Sequence, residues 1–204
     1  MEILNKIHDK LDLVSQTDYV KRIEIINEYW EELEKIEEVS DINMFVSYTL
    51  IGSYLGLALR ETGDIKRALE VTNIVIKMYD KYKNKLEIDF EKDLIYHHLL
   101  FNKVVCLFRL GRIKESNNLL NRLCKLKPDD ESYKIWKKRV NIEKLYYIVN
   151  TLNVIGLVLM ALDCFLLYVY DIQTYFLYII IGWGLIGLGI ILKKVANNKK
   201  KKLE

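Results

Sequence analysis

LYYIVNTLNVIGLVLMALDCFLLYVY, residues 145–170, and TYFLYIIIGWGLIGLGIILKK, residues 174–194, are the two stretches that decide the architecture of this chain. The first contains a single charged residue, Asp163, and the second contains none before Lys193. A helix of about 20 apolar residues crosses the hydrocarbon core of a bilayer, so each stretch is long enough to span it. Because only residues 171–173 separate them, we predict a tight antiparallel transmembrane hairpin over residues 143–194.

Basic residues flank the predicted hairpin on both outer sides, whereas its turn carries Asp171 and no lysine or arginine. Cytoplasmic flanks of membrane helices are enriched in lysine and arginine, so we expect both termini to be cytoplasmic, with residues 195–204 as a basic tail. Tyrosines near the span ends fit this placement, because their amphipathic rings prefer the interface. The flanking basic residues are Lys134, Lys137, Lys138, Arg139 and Lys144 before the first span, and Lys193, Lys194, Lys199, Lys200, Lys201 and Lys202 after the second.

Composition gives the expected compartment. The bias toward isoleucine, lysine and asparagine is typical of an AT-rich genome and favours a bacterial source. No apolar run follows Met1, so we expect no cleavable signal peptide and predict an integral protein of the bacterial inner membrane. The three cysteines, Cys106, Cys124 and Cys164, form no CxxC pair and suit a reducing compartment, where we expect them to be buried thiols.

Polar and small residues inside the spans are the first set of candidate functional residues. Asp163 is an ionisable residue within a span, which is costly and is by default a functional hypothesis. It could line a polar pore or pair with an asparagine of a neighbouring copy, or it could be protonated or reached by interfacial water. The glycines let helix backbones approach closely, either within one hairpin or at a seam between copies. The set is Asn150, Asn153, Asp163, Gly182, Gly184, Gly187 and Gly189.

The first 142 residues read as an all-α soluble domain. They contain one proline, Pro128, and their apolar residues recur at helical spacing after turn signals such as Gly63-Asp64 and Gly111. Residues 18–39 are predicted to form one helix. Asp64 is a plausible N-cap, and the helix that follows should bury one face, made of Ile65, Ala68, Leu69, Thr72, Ile76 and Tyr79.

Two segments of this domain resemble the tetratricopeptide repeat (TPR), a helix-turn-helix unit of about 34 residues. YLGLALRETGDIKRALEVTNIVIKMYDKY, residues 54–82, carries Leu55-Gly56, the turn residue Gly63 and the small residue Ala68. HLLFNKVVCLFRLGRIKESNNLLNRLCKLKPDD, residues 98–130, carries the turn residue Gly111 and the small residue Ser116. The two turn glycines are too far apart for adjacent repeats, so we place extra helical turns between residues 81 and 96, where they lengthen the first helix of the second unit.

The TPR resemblance implies that the domain binds an extended peptide or a helix of a protein partner. In TPR domains the first helix of each pair lines a concave binding face. Aligning the two segments with the repeat places seven residues of this chain on that face. These predicted partner-binding residues are Ser53, Leu57, Arg60, His98, Phe101, Val105 and Arg109.

The sequence contains no recognisable catalytic motif. There is no glycine-rich phosphate loop and no nucleophile elbow, so we expect no enzymatic activity and no cofactor. His97 and His98 are adjacent and point about 100° apart on a helix, which disfavours a shared metal. The net charge of +3 and the absence of a base-reading motif predict no nucleic-acid partner.

These observations leave two functional hypotheses. In the first, the chain is a membrane-anchored TPR-like adaptor that binds a protein partner at the cytoplasmic face. In the second, it is a membrane-disrupting or pore-forming effector of a bacterial defence or toxin system, with the helical domain as sensor or oligomerisation module. Both involve a protein or peptide partner and the lipid bilayer, and both allow a homo-oligomer.

Overall fold

A computed structural model describes residues 2–36, 38–82, 85–87, 89, 92–170 and 176–201. The regular secondary structure of these residues is helical throughout, which confirms the all-α class. Asp171 and the rest of the predicted turn lie outside the described residues. The helices are α1 (Glu2–Asp12), α2 (Tyr19–Asn27), α3 (Trp30–Glu34), α4 (Ile42–Thr62), α5 (Ile65–Tyr82), α6 (Leu94–Arg109), α7 (Ile113–Leu126), α8 (Glu131–Tyr170) and α9 (Phe176–Lys201).

The chain forms two compact units, Met1–Asp130 and Glu131–Glu204. The first unit contains α1 to α7, and the second contains α8 and α9. The predicted boundaries at residues 142 and 194 therefore fall within α8 and α9.

Helix α4 lies at the centre of the first unit, where it contacts α1, α2, α5 and α6. Phe45 of α4 packs edge-on against Tyr79 of α5, with ring centroids 4.8 Å apart. The predicted apolar face of α5 is buried, apart from Ile65, which is half-buried. The apolar composition of α4 follows from this central position, because it has core neighbours on several sides.

Short polar residues and glycines set the helix ends of the first unit. Asp64 accepts a hydrogen bond from the backbone N–H of Arg67 at 3.2 Å, which confirms it as the cap of α5. Gly63 and Gly111 have φ values of 96° and 74°, a left-handed conformation that favours glycine. Both turn glycines therefore end helices as the sequence predicts.

Two sequence predictions about helix ends are wrong. The helix predicted over residues 18–39 is interrupted, because α2 ends at Asn27 and Tyr29 has φ −119° and ψ 0° before α3 begins. The extra residues between the two TPR-like segments do not lengthen α6. Asp93 accepts hydrogen bonds from the backbone N–H groups of Ile95 and Tyr96 at 2.8 and 3.1 Å, so α6 begins only at Leu94.

The second unit consists of two long helices that pack against each other in opposite directions. The hydroxyl of Tyr146 donates to the side-chain oxygen of Asn197, and further along α8 Gly156 faces Gly182 of α9. A Cβ atom on Gly156 would lie 2.8 Å from the carbonyl oxygen of Gly182, so the backbones approach too closely for a side chain. Small residues thus allow the contact between α8 and α9.

Within the described residues, three helices are long and apolar enough to span a membrane. They are Ile42–Thr62, which is α4, and the segments Glu131–Phe165 of α8 and Tyr178–Lys201 of α9. Half of the apolar window of α4 is buried inside the structure, against 17% of the windows of α8 and of α9. Most of each apolar window of α8 and α9 is therefore not buried by the part of the chain that the structure describes.

The cysteines differ from the expectation of three buried thiols. Cys106 is buried, Cys124 is half-buried and Cys164 is exposed. Cys164 follows the buried Asp163 in α8, and the 100° step between neighbouring helical residues turns it away from α9.

Candidate functional site

Three of the predicted partner-binding residues lie on α4. Ser53, Leu57 and Arg60 follow one another at helical spacing and share a face, and all three are half-buried. The guanidinium of Arg60 forms an ion pair with Glu61 at 2.5 Å. This face therefore combines a small hydroxyl, an apolar side chain and a paired charge.

The other four predicted partner-binding residues lie on α6, and their accessibility differs. His98 and Arg109 are exposed, and Phe101 is half-buried. Val105 is 2% exposed, so the structure places it in the core of the unit, whereas the TPR register places it on the partner-binding face. The predicted role of these residues in partner binding stays a prediction.

Arg109 of α6 contacts α4 and so connects the predicted partner-binding residues of the two helices. Its Nη1 donates to the carbonyl oxygen of Arg60 at 2.8 Å, in the last turn of α4. A cation at the carboxyl end of a helix interacts favourably with the free carbonyl groups there. Arg109 therefore supports α4 as well as lying on the candidate surface.

Cys106 lies inside the unit close to these two arginines. Burial raises the pKa of its thiol to about 11, and the positive charges of Arg60 and Arg109 offset only part of that rise. The thiol is therefore neutral and unreactive near neutral pH.

A buried polar contact that the sequence analysis missed joins α4, α5 and α6. The side-chain amide of Asn102 donates to Thr72 Oγ1 at 2.8 Å, and the Thr72 hydroxyl donates to the Ala68 carbonyl at 2.7 Å. A Cβ atom on Gly56 would lie 2.9 Å from Thr72 Oγ1. The missing side chain at Gly56 thus permits the close approach of the helices, while the Asn102–Thr72 pair has no local sequence signature.

Asp163 is the most unusual residue of the second unit. It is 0% exposed, and neither carboxyl oxygen has a hydrogen-bond partner in the described structure. A buried polar group without a hydrogen-bond partner is costly in a protein interior. The structure thus places the predicted residue at the interior of the helix pair.

The two predicted asparagines lie in different surroundings. Asn150 is exposed on α8. Asn153 is half-buried beside Gly189, and its Oδ1 atom is buried without a hydrogen-bond partner among the described residues. Asn153 is therefore a second polar group at the contact between α8 and α9.

The four predicted glycines of α9 divide into two pairs. Gly182 and Gly189 are buried against α8, where added Cβ atoms would meet Met160 and Asn153, respectively. Gly184 and Gly187 have nothing within 4 Å of an added Cβ atom. Gly156 of α8, which the sequence analysis did not single out, is the counterpart of Gly182.

No group of three histidine, cysteine, aspartate or glutamate residues is gathered in the described part of the chain as a metal site would require. No family model, curated protein or solved structure matches the chain. The function therefore has to be inferred from the residues of this chain alone.

Proposed function

We propose that this chain is an adaptor anchored in a bacterial inner membrane by a transmembrane hairpin, with a TPR-like helical domain that binds a protein partner at the cytoplasmic face. The observation that carries the proposal is the exposure of the apolar segments of α8 and α9, because only 17% of each apolar window is buried. Lipid is the environment that suits such a surface. Large side chains on it include Val154, Leu157, Phe165, Ile180, Trp183 and Ile190.

The third apolar helix does not argue for a third span. Helix α4 is half buried among helices that carry many charged residues, and it supplies Phe45, Ile51 and Leu55 to the core. Removing it from the first unit would expose that core. We therefore assign membrane insertion to α8 and α9 alone.

The adaptor role is supported by the helix pairs of the first unit. Helices α4 and α5 are joined at Gly63, and α6 and α7 at Gly111, as in TPR-like units. The candidate surface combines Leu57 and Phe101 with the exposed polar residues His98 and Arg109. Mixed apolar and charged surfaces of this kind are typical of protein interfaces.

Partner capture from native membranes tests the adaptor role. We expect Leu57→Glu and His98→Glu to lose bound protein that the wild-type chain retains, because each places a negative charge on the candidate surface. Val46→Glu is the matched control, since Val46 is an exposed residue of the same helix as Leu57. Recovery of the same proteins with all three variants would contradict the assigned surface.

Membrane insertion has its own test. The full chain should stay in the pellet when bacterial membranes are washed with alkaline carbonate, and detergent should release it. Release by carbonate alone would show that α8 and α9 do not span the bilayer.

The second candidate function, a pore-forming effector, is favoured by one observation. Asp163 is fully buried in the helix pair with two unpaired carboxyl oxygens, which a passive anchor does not require. An assembly of several hairpins could present this group to a water-filled path.

Dye leakage from lipid vesicles separates the two candidates. A pore-forming chain should release dye at high protein density, and Asp163→Leu should abolish release without preventing insertion. Cys164→Leu is the control, because Cys164 is an exposed neighbour in the same helix. If no oligomeric state of the wild-type chain released dye, the pore function would be excluded and the adaptor would stand.

A further inference from the structure

The first unit contains a cleft where the connection between α1 and α2 meets α4. Its volume is about 240 Å³. Drug-sized ligands occupy pockets of about 300–1,000 Å³, so this cleft suits a smaller molecule. It is lined by Gln16, Thr17, Tyr19, Arg22, Tyr54 and Leu57.

Arg22 lines this cleft and is 8% exposed. Its Nε donates to the Ser15 carbonyl at 3.1 Å, and its Nη2 donates to the Val14 carbonyl at 3.4 Å. The guanidinium carbon lies 5.3 Å from the centre of the Tyr54 ring. A guanidinium has five N–H donors, and these bonds use two of them. The remaining donors are available to a ligand.

No carboxylate pairs with Arg22 in the described structure, where every recorded ion pair joins other residues. Asp18, one helical turn away, instead accepts a hydrogen bond from the backbone N–H of Lys21 at 3.1 Å and caps α2. A charged side chain buried to this degree is normally paired, because leaving it unpaired is costly. The cleft therefore lacks an anion.

We propose that this cleft binds a small organic acid through its carboxylate. The planar guanidinium matches a carboxylate in geometry and can donate to both oxygens. Among the described residues that line the cleft Arg22 is the only cation, so a single negative charge balances it, whereas phosphate would bring about two. Tyr54 and Leu57 then cover the hydrocarbon part of the acid. The ligand class is a monocarboxylate with a short apolar body.

The described lining of this cleft belongs to α2, α4 and the connection between α1 and α2, and none of it to the proposed membrane helices α8 and α9. The neighbouring residue Leu57 nevertheless lies both in the lining and on the predicted partner-binding surface. An acid in the cleft would thus contact a residue that the partner is expected to contact.

Calorimetric titration of the full chain in detergent micelles tests the site. Isovalerate and hydrocinnamate are the acids, and isovaleramide and hydrocinnamamide are neutral controls of the same shape. At least one acid should bind saturably at millimolar concentration, with its amide weaker by about ten-fold or more, because a charge-assisted hydrogen bond is lost. Arg22→Gln should weaken acid binding by about the same factor and leave the amide unchanged.

Arg22 also holds the Val14 and Ser15 carbonyls, so a second variant keeps that contact intact. Leu57→Trp fills the cleft and should abolish acid binding, while Val46→Trp on the exposed part of α4 should retain it. The assignment is overturned if neither acid binds, if acid and amide bind equally, if Leu57→Trp still binds, or if inorganic phosphate binds in preference to both acids.

Discussion

At the scale of single residues, Gly56 governs the contact between α4, α5 and α6. An added Cβ atom would lie 2.9 Å from Thr72 Oγ1 and 3.1 Å from Asn102 Nδ2, two atoms already joined by a hydrogen bond. We expect Gly56→Ala to lower the free energy of unfolding by about 1–3 kcal/mol, because the helices must separate. Urea unfolding of the full chain in micelles measures the change. Ser53→Ala, on the same helix, should stay within about 0.5 kcal/mol, and an equal loss there would contradict the contact.

Cys106 should make the first unit sensitive to alkaline pH. Burial raises the pKa of its thiol from 9.0 to about 11, so between these values the unfolded chain loses a proton that the folded chain keeps. Stability from this group is complete below pH 9 and is lost as pH rises toward 11, by about 2–3 kcal/mol in total. Hydrogen exchange of the α6 amides across this range should therefore accelerate more in the wild type than in Cys106→Ala. Parallel pH profiles for the two proteins would contradict the prediction.

Arg22 shows what a residue-level pattern could have revealed. Its spacing to Ile25 and Ile26 puts it on the buried face of α2, so helical periodicity alone would have identified it as an unusual arginine. Its acceptors, the Val14 and Ser15 carbonyls, belong to a connection whose course the sequence does not specify. The hydrogen bond between Asn102 and Thr72 is harder still to predict from the sequence, because only the packing of the helices brings the two side chains together.

At the scale of helices, the glycines of α9 provide a test of how α8 and α9 pack. Gly182 faces Gly156 and Met160 of α8, whereas Gly184 faces open space. We expect Gly182→Leu to lower the free energy of unfolding in mixed detergent by about 1–3 kcal/mol, because it forces the helices apart.

Gly184→Leu is the matched control and should change that free energy by no more than about 0.5 kcal/mol. If Gly184 belongs to a seam between copies, this variant should instead reduce the size of the complex without affecting unfolding. Equal destabilisation by both variants would show that α9 is rotated relative to the described packing.

Helix ends could be predicted from the sequence where one residue dictates the local geometry. Gly63 and Gly111 require a left-handed φ, and Asp64 caps the following helix, so these ends follow from the residue type. The interruption after Asn27 has no comparable indication in the amphipathic pattern. The start at Leu94 does, because Asp93 caps α6 as Asp64 caps α5, and the sequence analysis passed over it. The amphipathic pattern indicates which face of a helix is buried, but it does not indicate at which residue the helix ends. The division of the glycines likewise depends on the register between α8 and α9.

At the scale of the whole molecule, the proposed topology places both termini in the cytoplasm. Green fluorescent protein fused to the carboxyl end should therefore fluoresce, because it folds in that compartment. Alkaline phosphatase fused after Asp171, in the predicted outer turn, should be active because it needs an oxidising exterior. Active phosphatase at the carboxyl end would contradict the two-span arrangement.

Helix α8 has a mechanical consequence. It runs without interruption for 40 residues, which at 1.5 Å per residue makes a rod of about 60 Å. In the proposed topology α8 crosses a hydrocarbon core about 30 Å thick, so roughly half of the rod would extend beyond it. Membrane helices adjust their tilt when the bilayer thins or thickens, and a tilt change of about 10° would swing Glu131 sideways by about 10 Å relative to Tyr170. In that topology we expect the rod to act as a lever that converts a change in bilayer thickness into lateral movement at its amino-terminal end.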